Sequence, residues 1–313
     1  MGEWDFIKGE EKNFPSIVIM GMVNTCNLRC IHCYLRKLVK TPGYKPQFMS
    51  WEIFKKAADE IAAHPGTVMR ISSDGEAFLH PDFMDMMKYA KEKGVTPLTI
   101  INNGTLMTPE KSRKLVEWGV ESIEVSLDGY SKETYEKIRV GSDYDKVMFH
   151  LKELVRIRDE LKGKTKIMVS FIDQPESKHE VKKFTEHWSK IVDKVIIRPY
   201  VSQMGLVNPE KEDLSNFPKR WPCQQIWRRL SLTPEGYMEF CVDDWLDQSV
   251  VGNIKEKTIS EVWNSKLYKK FRELHLKGEW EKIPYCHLCD EWRVAPWGYD
   301  HLSALKEVGV KRE

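Results

Sequence analysis

Residues 16–34, SIVIMGMVNTCNLRCIHCY, carry the reading on which the fold turns. The apolar, partly β-branched run 16–23 predicts a strand. Three cysteines, Cys26, Cys30 and Cys33, follow on the loop that leaves it. A strand that ends in a reactive loop is the first half of a βα unit, and the chain downstream repeats that unit.

Strands are expected at 67–73, 97–101, 121–127, 166–172 and 194–199. Helices are expected at 50–63, 81–93, 108–118, 131–138, 143–161 and 177–191. In the first of these, Ser50 is placed to cap the N-terminus, and Ile53, Phe54, Ala57, Ala58 and Ile61 share one face. Thr108 caps another, with Pro109 at its first turn. Strand-then-helix alternation demands a parallel sheet with right-handed crossovers. About six such units are fewer than the eight of a closed barrel, so the class is α/β: an open, partial (β/α)6 TIM-like barrel with its site at the strand C-termini. A flat doubly wound sheet is the alternative.

The alternation stops near Tyr200. Residues 201–220 contain Gly205, Pro209 and Pro218 without periodicity and are expected to be a linker. Runs 228–233 and 236–241 flank Pro234-Glu235-Gly236, a hairpin signal, and 258–264 and 266–277 have helical spacing. The expected organisation is an extension at 1–15, a barrel at 16–200, a linker at 201–220, a small α+β domain at 221–291 and a tail at 292–313.

Composition narrows the function. The chain has 313 residues, 41% hydrophobic and 31% charged, a globular balance. A formal charge of +2 gives no global field for nucleic acid or anionic membrane. No apolar run is long enough to cross a bilayer, and the first residues lack a signal-peptide core. The expectation is a cytoplasmic protein with neither nucleic acid nor membrane as partner. Seven cysteines, an odd number, then suit thiolate ligands better than disulfides. They fall at 26, 30 and 33 and at 223, 241, 286 and 289.

Three cysteines can converge on one metal centre and leave a coordination position open. Zinc normally takes four ligands, and the only neighbouring fourth, His32, is wedged between Cys30 and Cys33. Three thiolates on a four-iron cluster leave one iron open. CNLRCIHC on the loop after a first strand resembles the signature of the radical S-adenosylmethionine (SAM) superfamily. The resemblance implies that the open iron chelates SAM, whose reductive cleavage yields a 5′-deoxyadenosyl radical. It places His32 where the family packs a side chain on adenine. Ser73-Asp74-Gly75-Glu76 resembles the family's Gly-Gly-Glu turn, with Glu76 implied on the SAM ammonium. Asn102-Asn103-Gly104-Thr105 resembles Thr-Asn-Gly-Thr, which brings in Asn103. Ser126-Leu127-Asp128-Gly129 resembles the element whose Ser126 and Asp128 face the ribose and carboxylate.

The second group contains Cys286-x2-Cys289, and Cys223 and Cys241 bracket the hairpin, whose ends meet. Four thiolates suit zinc or a fully ligated iron–sulfur cluster. WPCQQIWRRLSLTPEGYMEFCVDDW and the later PYCHLCD resemble the C-terminal SPASM/twitch extension of radical SAM enzymes. Their spacing is similar to that of 2-deoxy-scyllo-inosamine dehydrogenase-type twitch enzymes. The resemblance implies two [4Fe–4S] clusters, one binding SAM and one auxiliary, and a flavodoxin- or ferredoxin-type reductant.

The two groups use every cysteine, so none is left as a hydrogen donor or nucleophile. Net dehydrogenation of a small polar substrate (a sugar, aminocyclitol or nucleotide-sugar) is therefore expected, with the auxiliary cluster accepting an electron. Only 25 residues precede Cys26, short for a peptide-recognition domain, which leaves peptide modification as the second expectation. A zinc- or RNA-binding module and a methyl- or sulfur-transferase are the remaining alternatives. Arg198 at the end of the sixth strand is a candidate to hold substrate, with Tyr200 beside it. Asp243, followed by Asp244, is a candidate base. Trp221, Trp227, Trp245, Trp263 and Trp280 are expected to be core. His275 and His287 are given no role.

Overall fold

The computed structural model describes residues 13–72, 74–203, 206–207, 220–283, 285–286, 289, 291–293 and 301–312. Ser73, His287, most of the N-terminal extension and most of the 201–220 linker lie outside the described residues.

The first strand, β1, is Ile17–Met20, and a single helical turn, α1 (Leu35–Leu38), follows the cysteine loop. Next come α2 (Trp51–Ala62), β2 (Val68–Ile71), α3 (Phe83–Glu92), β3 (Leu98–Asn102), α4 (Pro109–Glu117) and β4 (Ser122–Ser126). Two helices, α5 (Lys132–Ile138) and α6 (Tyr144–Glu160), lead to β5 (Lys166–Asp173), α7 (Val181–Trp188) and β6 (Lys194–Pro199). The expected alternation is present. Ser50 accepts from the Ile53 amide at 3.3 Å, and the five apolar residues assigned to one face of α2 are all buried. Thr108 caps α4 with Pro109 in its first turn.

One helix starts late. Residues 177–180 form turns, and α7 begins only at Val181. The cause is Glu180, whose carboxylate accepts from the amides of Tyr130 (2.6 Å) and Ser131 (3.2 Å) and from the Thr134 hydroxyl (2.9 Å). It serves the start of α5 rather than its own helix.

Strands β1 to β6 form a parallel sheet in sequence order, curling as the partial barrel requires. The expected hairpin is there as β7 (Arg229–Leu232) and β8 (Tyr237–Glu239), with a further strand, β9 (Val250–Asn253). These strands extend the barrel's own sheet. Strand β7 lies parallel to β1, Ile17 opposite Arg229 and Met20 opposite Leu232, giving the order β6-β5-β4-β3-β2-β1-β7-β8-β9. Helices α8 (Ile259–Trp263) and α9 (Lys266–Leu276) follow.

The C-terminal stretch 292–313 contains a helix, α10 (His301–Glu307). Leu305 is fully buried against Ile17, Ile19, Val68, Met168 and Ile196, alternate residues on the concave side of the strands. His301 Nε2 meets Thr99 Oγ1 at 3.1 Å, and Arg312 donates to the Gly66 carbonyl at 2.8 Å. The spacing of Leu302 and Leu305 supplies the apolar edge that seals the barrel floor.

Candidate active site with two cysteine groups

The three-cysteine loop is held by backbone pairing. The amides of Arg29 and Ile31 donate to the carbonyls of Val140 and Ile138. The β2 turn docks on its other side, where the Glu76 amide donates to the Thr25 carbonyl at 2.9 Å. Gly75 permits this approach, because a Cβ there would sit 2.1 Å from that same oxygen. Gly104, at φ +77, likewise has Val147 where a side chain would go.

Donors converge on Cys26. Its Sγ accepts from the Leu28 amide at 3.3 Å and from Asn103 Nδ2 at 3.7 Å. Asn103 also donates to Asn27 Oδ1, and Asn27 donates to Thr105 Oγ1. Burial pushes all three thiols up, Cys30 to about 11 and Cys33 to about 12. The protein without metal therefore holds thiols, and loading must expel protons. Amides aimed at sulfur are what a bound thiolate needs, so the donor set fits an iron–sulfur cluster.

Glu76 ties the second and third turns together. One carboxylate oxygen accepts from the Phe78 amide at 3.2 Å and the other from the Asn103 amide at 2.8 Å. Burial raises its carboxyl to about 7. Ser126 sits at the end of β4, 3.4 Å from the Ser170 hydroxyl. Asp128 follows β4 in the same turn, and its carboxylate is engaged by groups of the chain itself. It is 1% exposed, accepts from the Ile172 amide at 2.7 Å and from Arg139 at 2.5 Å, and lies 3.5 Å from His32 Nε2. His32 is itself buried, with Gln174 on its other nitrogen and its pKa lowered by that burial. Asp128 thus anchors Arg139, which acts on Cys26 and Cys30.

The second group surrounds a cavity of about 210 Å³, lined by Cys223, Cys241, Cys286 and Cys289. Burial raises all four thiols, Cys286 to about 12. The Cys223 amide donates to His275 Nδ1 at 3.4 Å, which leaves Nε2 to carry the proton and face Cys286 Sγ at 3.7 Å. Burial lowers His275 to about 4, so the ring is neutral near pH 7. Among the described residues, no three His, Cys, Asp or Glu side chains are gathered closely enough for a single metal ion.

The same cavity reaches Arg70, Arg198, Asp243 and His301. Arg198 is turned inward onto Glu124, 2.6 Å away and fully buried. Burial pushes Glu124 up, but Arg198, with Arg70 behind it, holds the carboxyl at about 2. Asp243 is 3.9 Å from Arg229, and its carbonyl accepts from the Tyr285 hydroxyl. Asp244 is committed to the amides of Leu246 and Ser249. Tyr200 is half-buried and lies outside the cavity lining.

Residues 241–249 reach back to the first group, where Trp245 meets Tyr34 edge-on. Trp227 and Trp263 are core, as expected, whereas Trp245 is only half-buried. Nearby, Glu239 is 3% exposed, and burial, helped by Asp74, Asp244 and Asp247, raises it to about 10. It is a neutral acid, hydrogen-bonded to Asp247. Sequence reasoning missed Arg139 and Arg220, which lie in no motif, and also Asn27, Arg229 and Glu239, which stand inside the quoted motifs without being singled out.

The chain matches the Radical SAM superfamily profile over residues 20–184, more than half its length, and it belongs to that superfamily. Residues 223–290 match SPASM, an iron-sulfur cluster-binding domain. It is a radical SAM enzyme whose cofactors are SAM and [4Fe–4S] clusters. An Fe-coproporphyrin III synthase of Methanosarcina barkeri (strain Fusaro / DSM 804) is 35% identical over 128 residues, 41% of this chain and 31% of that protein. The chain spans about a third of the length of the curated relatives it first matches. Among solved structures, BtrN in complex with AdoMet and 2-DOIA has a TM-score of 0.58 at 17% identity, covering 88% of this chain and 92% of that one. Streptococcus suis SuiB bound to precursor peptide SuiA has a TM-score of 0.70 at 14% identity, covering 99% and 77%. No described helix is long and apolar enough to cross a membrane.

Proposed function

We propose that this enzyme oxidises a small polar molecule, such as a sugar, aminocyclitol or nucleotide-sugar, by net dehydrogenation. Cys26, Cys30 and Cys33 hold the SAM-binding cluster, and Cys223, Cys241, Cys286 and Cys289 hold the auxiliary one. When bound, SAM and the first cluster would supply a hydrogen-abstracting radical and the auxiliary cluster an electron acceptor, so that loss of a hydrogen atom, an electron and a proton to a base would turn an alcohol carbon into a carbonyl. The observation that carries the reading is that the auxiliary cysteines share one cavity with Arg198 of the barrel interior.

The chain's own residues divide the remaining work. Asn103 and the Leu28 amide orient Cys26. Glu76 presents a buried carboxylate to the SAM ammonium, and Ser126 offers its hydroxyl at the strand ends. His32 and Asp128 support the loop from below. Tyr34 and Trp245 close the space between the two sites against water. Arg198, paired with Glu124, brings a guanidinium charge to the cavity for a substrate oxygen. Asp243, beside Arg229, accepts the proton. A flavodoxin- or ferredoxin-type protein is the proposed reductant, and the cytoplasm the proposed location.

Peptide modification is the second reading, favoured by the likeness to SuiB with its bound precursor peptide. One experiment separates them. The reconstituted enzyme is incubated anaerobically with dithionite, SAM and deuterated sugars, aminocyclitols or candidate peptides. Deuterium in 5′-deoxyadenosine from a small alcohol supports dehydrogenation, and transfer from peptides alone overturns it. Replacing Cys223 and Cys241 by Ala should spare SAM cleavage and abolish product. Undiminished product in that variant would remove the auxiliary cluster from the reaction.

A further inference from the structure

Arg220 and Arg229 both line the cavity of the second cysteine group, and Arg229 has entered so far only as the neighbour of Asp243. Arg220 donates from Nη2 to the Cys286 carbonyl at 2.9 Å. Its guanidinium lies 4.8 Å from the Trp280 ring centre and 5.9 Å from that of Trp292. Arg229 sits at the start of β7, with Asp243 at 3.9 Å. In both residues the Nε is buried and has no hydrogen-bond partner among the described residues. An orphaned buried donor is costly, and two at one cavity ask for an acceptor inside it.

The two charges divide the cysteines between them. Arg220 acts on Cys223, Cys286 and Cys289, and Arg229 on Cys223 and Cys241. A cluster with four thiolate ligands carries net negative charge, and an added electron makes it more negative. Burial alone opposes that electron. Fixed cations beside the sulfurs favour it, and in a cavity sheltered from water their effect is poorly screened.

We propose that Arg220 and Arg229 are the charges that set the reduction potential of the auxiliary cluster, holding it high enough to accept an electron. The proposal rests on the assignment of that cluster to Cys223, Cys241, Cys286 and Cys289. Arg220, pinned by one carbonyl and two indoles, is the more rigid of the pair. Both residues act through the cluster, as positioned charges beside its ligands.

The test uses the full chain with Cys26, Cys30 and Cys33 replaced by Ala, so that only the auxiliary cluster reports. After anaerobic reconstitution, iron is counted and the midpoint potential is read by a mediated titration followed by EPR. In that background Arg220→Gln should make reduction at least tenfold less favourable, a downward shift of about 59 mV for one electron. Arg229→Gln should move it the same way, and Arg220→Lys should restore most of it. Full iron content with unchanged potentials in both glutamine variants overturns the proposal. Should Arg220→Gln fail to hold iron, Arg229→Gln decides by the same criterion. The function reading fails separately, through undiminished product when Cys223 and Cys241 are removed, and the potential is read without substrate.

Discussion

Trp245 meets Tyr34 edge to face, ring centroids 6.0 Å apart at 65°. One residue follows the last cysteine of the first group, and the other lies four positions after Cys241. The contact joins the chain just beyond Cys33 to the chain just beyond Cys241. An aromatic pair of this kind contributes about 0.5–1.5 kcal/mol beyond area burial. Trp245→Ala should therefore leave the fold intact and let water between the sites. The measured outcome is the ratio of 5′-deoxyadenosine to oxidised product, which should rise several-fold. An unchanged ratio would show that the pair does not shield the reaction.

Glu76 is buried and close to half ionised at neutral pH, because burial raises its carboxyl from 4.5 to about 7. Folding thus favours its protonated form, and its unfavourable contribution to stability grows as pH rises from about 4.5 toward 7. An ammonium group needs the ionised form. SAM affinity should strengthen as pH rises through about 7 and level off above it. Glu76→Gln should weaken SAM binding by about 1.5–3 kcal/mol, the range for a charged hydrogen bond, and flatten that pH dependence. Equilibrium binding from pH 6 to 8.5 checks both statements.

Glu124 shifts the opposite way. Its folded carboxyl lies at about 2 against 4.5, held down by Arg198. The stability it contributes is complete above about 4.5 and is lost as pH falls from there toward 2. Glu124→Gln leaves Arg198 facing a neutral amide inside the barrel, a loss of about 3–5 kcal/mol near pH 7. Urea unfolding at pH 7 and pH 3 should show a smaller gap between variant and wild type at the lower pH.

Leu305 closes the barrel floor from a helix more than a hundred residues beyond the last barrel strand. Leu305→Ala should cost about 2–5 kcal/mol, the range for a large-to-small change in a packed core. A change under 1 kcal/mol in urea unfolding would mean that α10 is not part of the cooperative unit.

The barrel and both cysteine groups are legible because they depend on local spacing. Cysteine intervals, the Ser50 and Thr108 caps and the alternation of runs each reside in a few adjacent residues. What escapes is what the fold brings together from afar. Arg139 ends α5 and reaches Cys30 only through the pairing of residues 29–31 with 138–140. Asp128 stands in a recognisable motif, yet its partners Arg139 and the Ile172 amide come from other turns. Strand β9 is short, and its pairing with β8 is a long-range choice. The start of α7 at Val181 was misplaced because Glu180 is recruited by another helix.

Strand β1 hydrogen-bonds to β2 on one side and to β7 on the other. The loop with three cysteines grows from its far end, and the hairpin bracketed by Cys223 and Cys241 begins at its flank. A single ladder therefore acts as a ruler between the two donor sets. The separation of the two cysteine groups is written into that strand pairing, as continuous as the sheet itself.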